Sequence, residues 1–364
     1  MIISTEKITD LLSKLIRLPS PSGEEDKAVK ILTSFFKSKK IKLKRIGNNL
    51  LVKNLHFNKS LPTLLLNSHI DTVKPSADWK NDPYDPVIKG GKLYGLGSND
   101  AGGGLVGLIA AFLHFYDQED LSYNIILAVT SEEEISGSGG IESILASLKN
   151  VNLAMVGEPT GMEMAIAEKG LMVLDCYTYG KSGHAARNDG ENAISKALPD
   201  VEWFNNFEFP LQSPILGPVK MSVTVIEAGT QHNVVPDECH FIVDIRTTDA
   251  YKNEETLDII RRYVKCEVKP RSTRLQPSGI EADHPIIGIA GSMGINTFGS
   301  PTLSDQALMP FPSVKIGPGD STRSHTPDEF IMLEEIEEGI KIYISLIDGI
   351  LKKAIDNTEL ITNH

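Results

Sequence analysis

The sequence predicts an α/β protein in which a mostly parallel sheet is split around a smaller inserted α+β unit. Three observations carry this reading. Apolar runs at 64–66, 125–129 and 151–156, the last broken only by Asn152, have the character of buried strands of a largely parallel sheet. Between the first two lies 105–115, apolar nearly all round, as expected of a buried helix behind a glycine run, and strand, helix, strand is the pattern of an α/β layer. From Met172 the order becomes strand, helix, strand, strand, helix, strand, the βαββαβ or ferredoxin-like arrangement. At 364 residues the chain is long for one core, which agrees with two domains. The expected division is 1–167 and 276–364 for the larger domain and 168–275 for the insertion.

Near the N-terminus, Ile8, Leu11, Leu12, Leu15 and Ile16 recur at helical spacing behind Ser4 and Thr5. A second helix is expected from Ser22, with Glu25 completing a capping box and Ile31, Leu32, Phe35 and Phe36 on its apolar face. In the insertion, 172–179 reads as a strand and 192–205 as a helix marred by Pro199. Residues 221–226 and 238–246 read as strands, 253–264 as a helix, and a short strand lies near Val268. Residues 285–289 and the amphipathic 331–350 return to the character of the first domain. There are no internal repeats or low-complexity tracts.

Composition narrows the function classes. Lys and Arg number 36 against 48 Asp and Glu, a formal charge of −12, which argues against a broad basic surface for nucleic acid. No apolar run is long enough to span a bilayer, and the first residues lack the apolar core of a signal peptide, so a cytoplasmic location without membrane partners is expected. Cys176, Cys239 and Cys266 show no CxxC spacing and read as buried thiols of a reducing compartment.

The chemistry lies just beyond each apolar run, because ligands of open α/β sheets bind past the carboxyl ends of the strands. After Leu66 come His69 and Asp71; after Val129, Glu132, Glu133 and Glu134; after Val156, Glu158; and Asp100 precedes the buried helix. Singly, each has a plainer reading: a hydrogen-bonded structural histidine, a solvated glutamate run, a helix N-cap, a turn residue. Together at one sheet edge they would repel one another unless neutralised, and divalent cations do this economically. His69 and Asp71 alternate on an extended segment, so Asp71 is placed to accept the second ring N–H of a metal-bound His69. Rival motifs fail. GLGSND (95–100) has Asp where a dinucleotide loop needs Gly, GKS (180–182) lacks the first Gly of a phosphate loop, and no GxSxG elbow occurs.

The runs SHIDTV (68–73), GLGSNDAGGG (95–104), TSEEEISGSGG (130–140), VGEPT (156–160), GKSGHAA (180–186), GTQHNVVPDECHFIVDIR (229–246) and GPGDSTRSHTPDEF (317–330) resemble, in order, the two-zinc amidohydrolase and peptidase family. That family includes acetylornithine deacetylase, succinyl-diaminopimelate desuccinylase, aminoacylases and glutamate carboxypeptidases. The last run looks closest to the acetylornithine deacetylase-type branch. The resemblance covers essentially the whole chain. It implies a zinc-aminopeptidase-like catalytic domain with an inserted lid and dimerisation domain, hence a homodimer, and two divalent metal ions per chain, zinc with cobalt as an alternative. His69 and Glu158 would hold one ion, Glu134 and His325 the other, and Asp100 would bridge them. Glu133 matches the general base, Asp71 the partner of the first histidine, and His184 the histidine that reaches a partner subunit's site. Asn233 and Arg246 match substrate-contacting positions. The chain departs from many relatives at Leu96, where they carry Arg, and in D-A-G-G (100–103), where they carry D-x-K-G.

The resemblance implies amide hydrolysis of an N-acyl-L-amino acid, with N-acetyl- or N-succinyl-ornithine or -citrulline of arginine biosynthesis favoured. A succinyl tail would ask for a second cation, for which Lys181, Arg187 and Arg323 lie near family motifs. The alternatives are a dipeptidase or carboxypeptidase of the same family and, more remotely, a binding protein that kept the fold, which would be expected to have lost a ligand or Glu133. His114, His232, His240, His284 and His364 are expected to be structural.

Overall fold

In the computed structural model, which describes residues 3–362 with side chains as far as Lys352, the apolar runs stand side by side. Thr63–His69 lies between Asn124–Thr130 and Val151–Val156, parallel to both, and Ser313–Lys315 extends the parallel block beyond Val151–Val156. The flanks are antiparallel: Asn49–Lys53 and then Leu43–Ile46 on one side, Met164–Glu168 on the other. Thr63–His69 and Asn124–Thr130 are buried at every residue, which is why they read as continuous apolar runs. Leu64 and Leu66 enter the core on one face of the sheet, and Leu65 enters the smaller core on the other.

Helix Gly103–Phe115, buried everywhere but His114, belongs to the first of these cores. So do the amphipathic helix Thr5–Ile16 and the apolar stripe Ile336, Tyr343, Leu346 and Ile347 of helix Leu333–Thr362. The fully buried Tyr343 donates its hydroxyl hydrogen to the Ile316 carbonyl at 2.7 Å, so the aromatic body fills the core without stranding its polar end.

The second helix departs from expectation. It runs Asp26–Ser38, and the Ser22–Glu25 capping box does not form. The Ser22 hydroxyl donates instead to Asp71 at 2.6 Å, and the fully buried Glu25 accepts the Gly23, Glu132 and Asn48 N–H groups. Ser22 is thus drawn to a distant acceptor and Glu25 to N–H donors, and neither side chain is left for the helix start.

The chain forms two compact units, one of residues up to Ile166, Gly279–Phe298 and those from Ser304 on, the other of Ala167–Ser278 and Gly299–Leu303. The second unit has a four-stranded antiparallel sheet in the order Lys220–Ala228, Glu238–Thr247, Gly170–Tyr179, Glu267–Pro270. With helices Ala193–Asn206 and Asn253–Tyr263 this is the ferredoxin-like βαββαβ order. Pro199 does not end its helix: Asn192 caps the start, and the buried Asp200 accepts the Lys265 and Cys266 N–H groups. Cys176, Cys239 and Cys266 are buried free thiols. Among the described residues no helix is long and apolar enough to cross a membrane. His364 lies outside the described residues.

Candidate active site

The larger unit brings its strand-end residues together. His69 ends Thr63–His69, Glu133 and Glu134 form a short turn after Asn124–Thr130, and Glu158 follows Val151–Val156. Asp100 stands in the turn leading into Gly103–Phe115. His69, Asp100 and Glu134 can each bring one donor atom within 4.8 Å of the others.

Asp100 is the centre of this geometry. Its Oδ1 lies 3.3 Å from His69 Nε2, and its Oδ2 lies 3.5 Å from His325 Nε2. Glu158 Oε1 is 3.7 Å from the same His69 nitrogen, and Glu134 Oε2 is 2.9 Å from that of His325. The resemblance implies pairing His69 with Glu158 and His325 with Glu134, and in the structure both pairs lie around the Asp100 carboxylate, which offers an oxygen to each histidine.

The donor chemistry suits divalent metal: two imidazoles and three carboxylates form a nitrogen and oxygen set of the kind zinc and cobalt accept. Asp100 and Glu134 meet no Lys or Arg at ion-pair distance among the described residues. Burial opposes protonation of His69, yet Asp100 and Asp71 raise it well above its ordinary range, and Glu134 raises His325 to about 9. The cluster therefore calls for positive charge that its own residues supply only by binding protons.

Asp71 differs from expectation in detail. The nearest acceptor for His69 Nδ1 is the backbone carbonyl of Asp71 at 2.9 Å, with the Asp71 carboxylate at 3.5 Å. A carbonyl can only accept, so Nδ1 carries the proton and Nε2 is left for a ligand bond. The carboxylate is occupied elsewhere, accepting the backbone N–H groups of Glu133 and Glu134 at 3.1 Å each and the Ser22 hydroxyl. Glu133 itself is raised well above the usual carboxylate range, first by burial and then by Glu158, Asp305 and Glu134, against the lowering effect of His69.

Several contributors escaped sequence reasoning. Glu329, at the end of the GPGDSTRSHTPDEF run, accepts the backbone N–H groups of Asn99 and Asp100 at 2.8 and 3.0 Å. Asn99 exchanges hydrogen bonds with the backbone of Asp320, tying the Asp100 turn to the loop that carries His325. Asp305, buried and raised to about 6 by that burial, accepts the Thr130 hydroxyl at 2.6 Å behind the glutamate turn. Each stands among polar neighbours (Ser98 and Asp100, Ser304 and Gln306, Asp328), so nothing local tells it apart from a loop residue. The glycines after Asp100 answer a packing demand: a Cβ on Gly104 would meet the Gly157 carbonyl oxygen at 2.6 Å, beside Glu158.

In the smaller unit, Gly183–His184 pairs antiparallel with Val234–Val235, and the Ala185 N–H donates to the Asn233 carbonyl, so exposed His184 and Asn233 stand on one two-stranded ribbon built from distant segments. His184 Nδ1 accepts the Ala186 N–H at 3.1 Å, which leaves the proton on Nε2. Arg246 forms a two-pronged pair with Asp244 at 2.9 and 3.2 Å. His240 bonds Asp175 at 3.0 Å and stacks on Tyr177. Arg323, in the larger unit, is already taken up by Glu335 at 2.7 and 3.0 Å and by the Phe330 ring. His284 caps the helix Pro285–Ser292, and His114 packs edge-on against Phe115.

Comparison with known proteins decides the family, since the profile of Peptidase family M20/M25/M40 matches residues 65–349. The chain belongs to the M20 family. Among M20 relatives, succinyl-diaminopimelate desuccinylase of Wolbachia pipientis wMel is 28% identical over 68% of this chain. That match spans 65% of the relative, just under two thirds of its length. LysW-lysine/LysW-ornithine hydrolase of Sulfurisphaera tokodaii is 26% identical over 96% of this chain and 98% of its own. In solved structures the fold recurs in a Staphylococcus aureus tripeptidase, with TM-score 0.76 at 20% identity over 97% of this chain and 99% of that one. It recurs in an M20 metallo-carboxypeptidase of Sulfolobus solfataricus, with TM-score 0.72 at 18% identity over 94% and 98%. At these identities the neighbours share the M20 fold alone.

Proposed function

We propose that this M20 hydrolase cleaves the amide bond of an N-acyl-L-amino acid, with His69, Asp100, Glu134, Glu158 and His325 holding two divalent ions, zinc or cobalt. The observation that carries this reading is the single Asp100 carboxylate facing a histidine with each oxygen, at 3.3 and 3.5 Å. A Bacillus subtilis M20 protein of the same fold is described as a dinuclear metal-binding peptidase. Bound metal would supply positive charge to polarise the scissile carbonyl and to lower the pKa of an attacking water.

The chain's own groups do the rest. Glu133, raised by burial, is a strong enough base to take a proton from water at its carboxyl and return it to the leaving nitrogen as the C–N bond breaks. Asp71 fixes the backbone of both glutamates and the tautomer of His69. His184 presents an Nε2–H suited to hydrogen-bonding the developing oxyanion of a partner subunit's substrate, with the insertion serving as lid and dimerisation domain. Asn233 and Arg246 are assigned to the substrate, Arg246 to its free carboxylate through the N–H groups that Asp244 leaves open.

The favoured substrates are N-acetyl- or N-succinyl-ornithine or -citrulline, in a cytoplasmic arginine-type biosynthetic route. Relatives named for desuccinylation and for release of lysine or ornithine from LysW support a basic or amino-bearing amino acid whose α-nitrogen is acylated. With Arg323 engaged by Glu335, a succinyl tail would turn to Lys181 or Arg187. The second reading, a dipeptidase or carboxypeptidase, draws support from the names of the fold neighbours. A panel of N-acyl amino acids and dipeptides, assayed with zinc and with cobalt alongside metal analysis, tests both. Cleavage of acyl-ornithines or acyl-citrullines with about two metals per chain supports the proposal. Dipeptide cleavage with inert acyl amino acids overturns it.

A further inference from the structure

The most segregated charge in the chain lies away from the metal-ligand cluster. From Lys27 to Ile70 there is no Asp or Glu, yet there are nine Lys and one Arg, in a protein of net charge −12. Random placement of 48 acidic residues would not leave such a gap beside so many cations.

The fold gathers part of this segment into one hollow of about 620 Å³ at the free edge of the larger unit's sheet. Lys40 comes from the end of helix Asp26–Ser38, Lys42 and Lys44 from the edge strand Leu43–Ile46 and its approach, and Lys53 from the neighbouring strand. All four are exposed, and among the described residues none is paired with a carboxylate. Lys44 donates to the Ser147 hydroxyl at 3.1 Å, and Lys53 lies over the Phe57 ring. The lining also includes half-buried Leu43, which alternates with Lys42 and Lys44 along the edge strand and its approach, and Leu55 at 56% exposure.

Leu43–Ile46 ends the strand order, so its outer N–H and C=O groups face no neighbouring strand. Lysines on an edge strand keep sheets of different molecules apart. That duty does not require cations from a helix end, an edge strand and an inner strand to enclose one hollow.

The hollow is remote from the chemistry. The Leu55 N–H donates to the carbonyl of Tyr116, which caps the far end of the helix that begins three residues after Asp100. Thirteen helical residues separate the two ends by about 20 Å. An occupant here would not be the reacting part of a substrate.

We infer that this groove docks an extended acidic segment of another polypeptide, which adds a strand to Leu43–Ile46. Its main chain pairs with the open edge, its carboxylates meet Lys40, Lys42, Lys44 and Lys53, and its intervening apolar side chains lie against Leu43. Charge complementarity selects an acidic partner, and the open edge selects a polypeptide over other polyanions. Nucleic acid fits less well: Arg45 is held by Asp26, no exposed aromatic face lines the hollow for base stacking, and the remaining surface is acidic. A planar anionic membrane would not reach into a concavity.

The test uses the full chain and a fluorescent ten-residue peptide of alternating Glu and Leu. Anisotropy should show binding that weakens roughly tenfold or more between 50 and 500 mM salt, as screening of several lysine–carboxylate pairs requires. The variant carrying K40E, K42E, K44E and K53E should bind at least about tenfold more weakly with melting temperature and metal content unchanged. The milder K42Q/K44Q pair should move the same way by less, which keeps the test open if the fourfold variant fails to fold. Hydrogen exchange should slow at the Leu43–Ile46 amides when peptide is present. Equal binding by the K42Q/K44Q variant, no protection of that strand, or tighter binding of a single-stranded oligonucleotide or phosphatidylserine vesicles would each overturn the inference.

Discussion

The Asp71 carboxylate accepts the backbone N–H of Glu134 at 3.1 Å, although the two residues lie on different strand ends. Its other oxygen holds the Glu133 N–H, and its own backbone carbonyl holds the proton of His69. One residue thus sets the orientation of a histidine, a proposed base and a proposed ligand. Replacing Asp71 by Asn leaves one oxygen where two are used, and puts an N–H donor against an N–H donor. We expect kcat/KM to fall roughly 10- to 100-fold, the usual cost of losing an outer-shell partner of a metal ligand. Near-wild-type activity in D71N would show that the backbone bonds alone hold the turn.

Glu133 and Asp100 should separate chemistry from metal binding. E133Q is expected to lose at least about 100-fold in kcat while keeping close to two metals per chain, because the amide cannot take a proton. D100A should lower metal content itself, since Asp100 faces both histidines. Elemental analysis beside single-turnover rates distinguishes the two, and substantial activity in E133Q would remove it as the base.

The proposed role of His184 across subunits has a mixing test. Inactive H184A chains combined with inactive E133Q chains should regain up to about a quarter of wild-type activity: at most half the chains enter mixed dimers, and only one site of each mixed dimer has both groups intact. Demonstrated subunit exchange without recovered activity would place His184 in its own chain's site.

Asp175 supplies a pH prediction independent of metal. Arg271 and His240 hold its carboxyl down at about 2, below the ordinary 3.8. A depressed carboxylate contributes its full stability above about pH 4, and the contribution disappears as pH falls through 2. Because Arg271 is half exposed, screening reduces the pair to about 1 kcal/mol. Urea midpoints of metal-free wild type and D175N should differ at pH 6, the gap should begin to narrow below about pH 4, and it should close as pH falls through about 2. A gap that persists at low pH would trace the loss to packing on the sheet face.

The set of parts is legible in the order of residues alone. Burial on both faces forces near-continuous apolar runs, so the three central strands, the third broken only by Asn152, and the buried helix were legible, and chemistry-bearing residues directly after such runs collect at one sheet edge. The alternation of the insertion and its element order likewise made the βαββαβ unit legible. Who bonds whom is a matter of three-dimensional packing. Ser22 and Glu25 carry a capping pattern, yet Ser22 goes to Asp71 and Glu25 to Glu132, 107 residues away. Glu329 and Asp305 look like loop residues until the backbone of Asp100 and the hydroxyl of Thr130 are brought to them. Arg323 looks available until Glu335 meets it across one helical approach. A hydrogen bond is won by whichever partner the fold delivers at 2.6–3.2 Å, and that delivery depends on packing between distant segments, which local spacing does not encode.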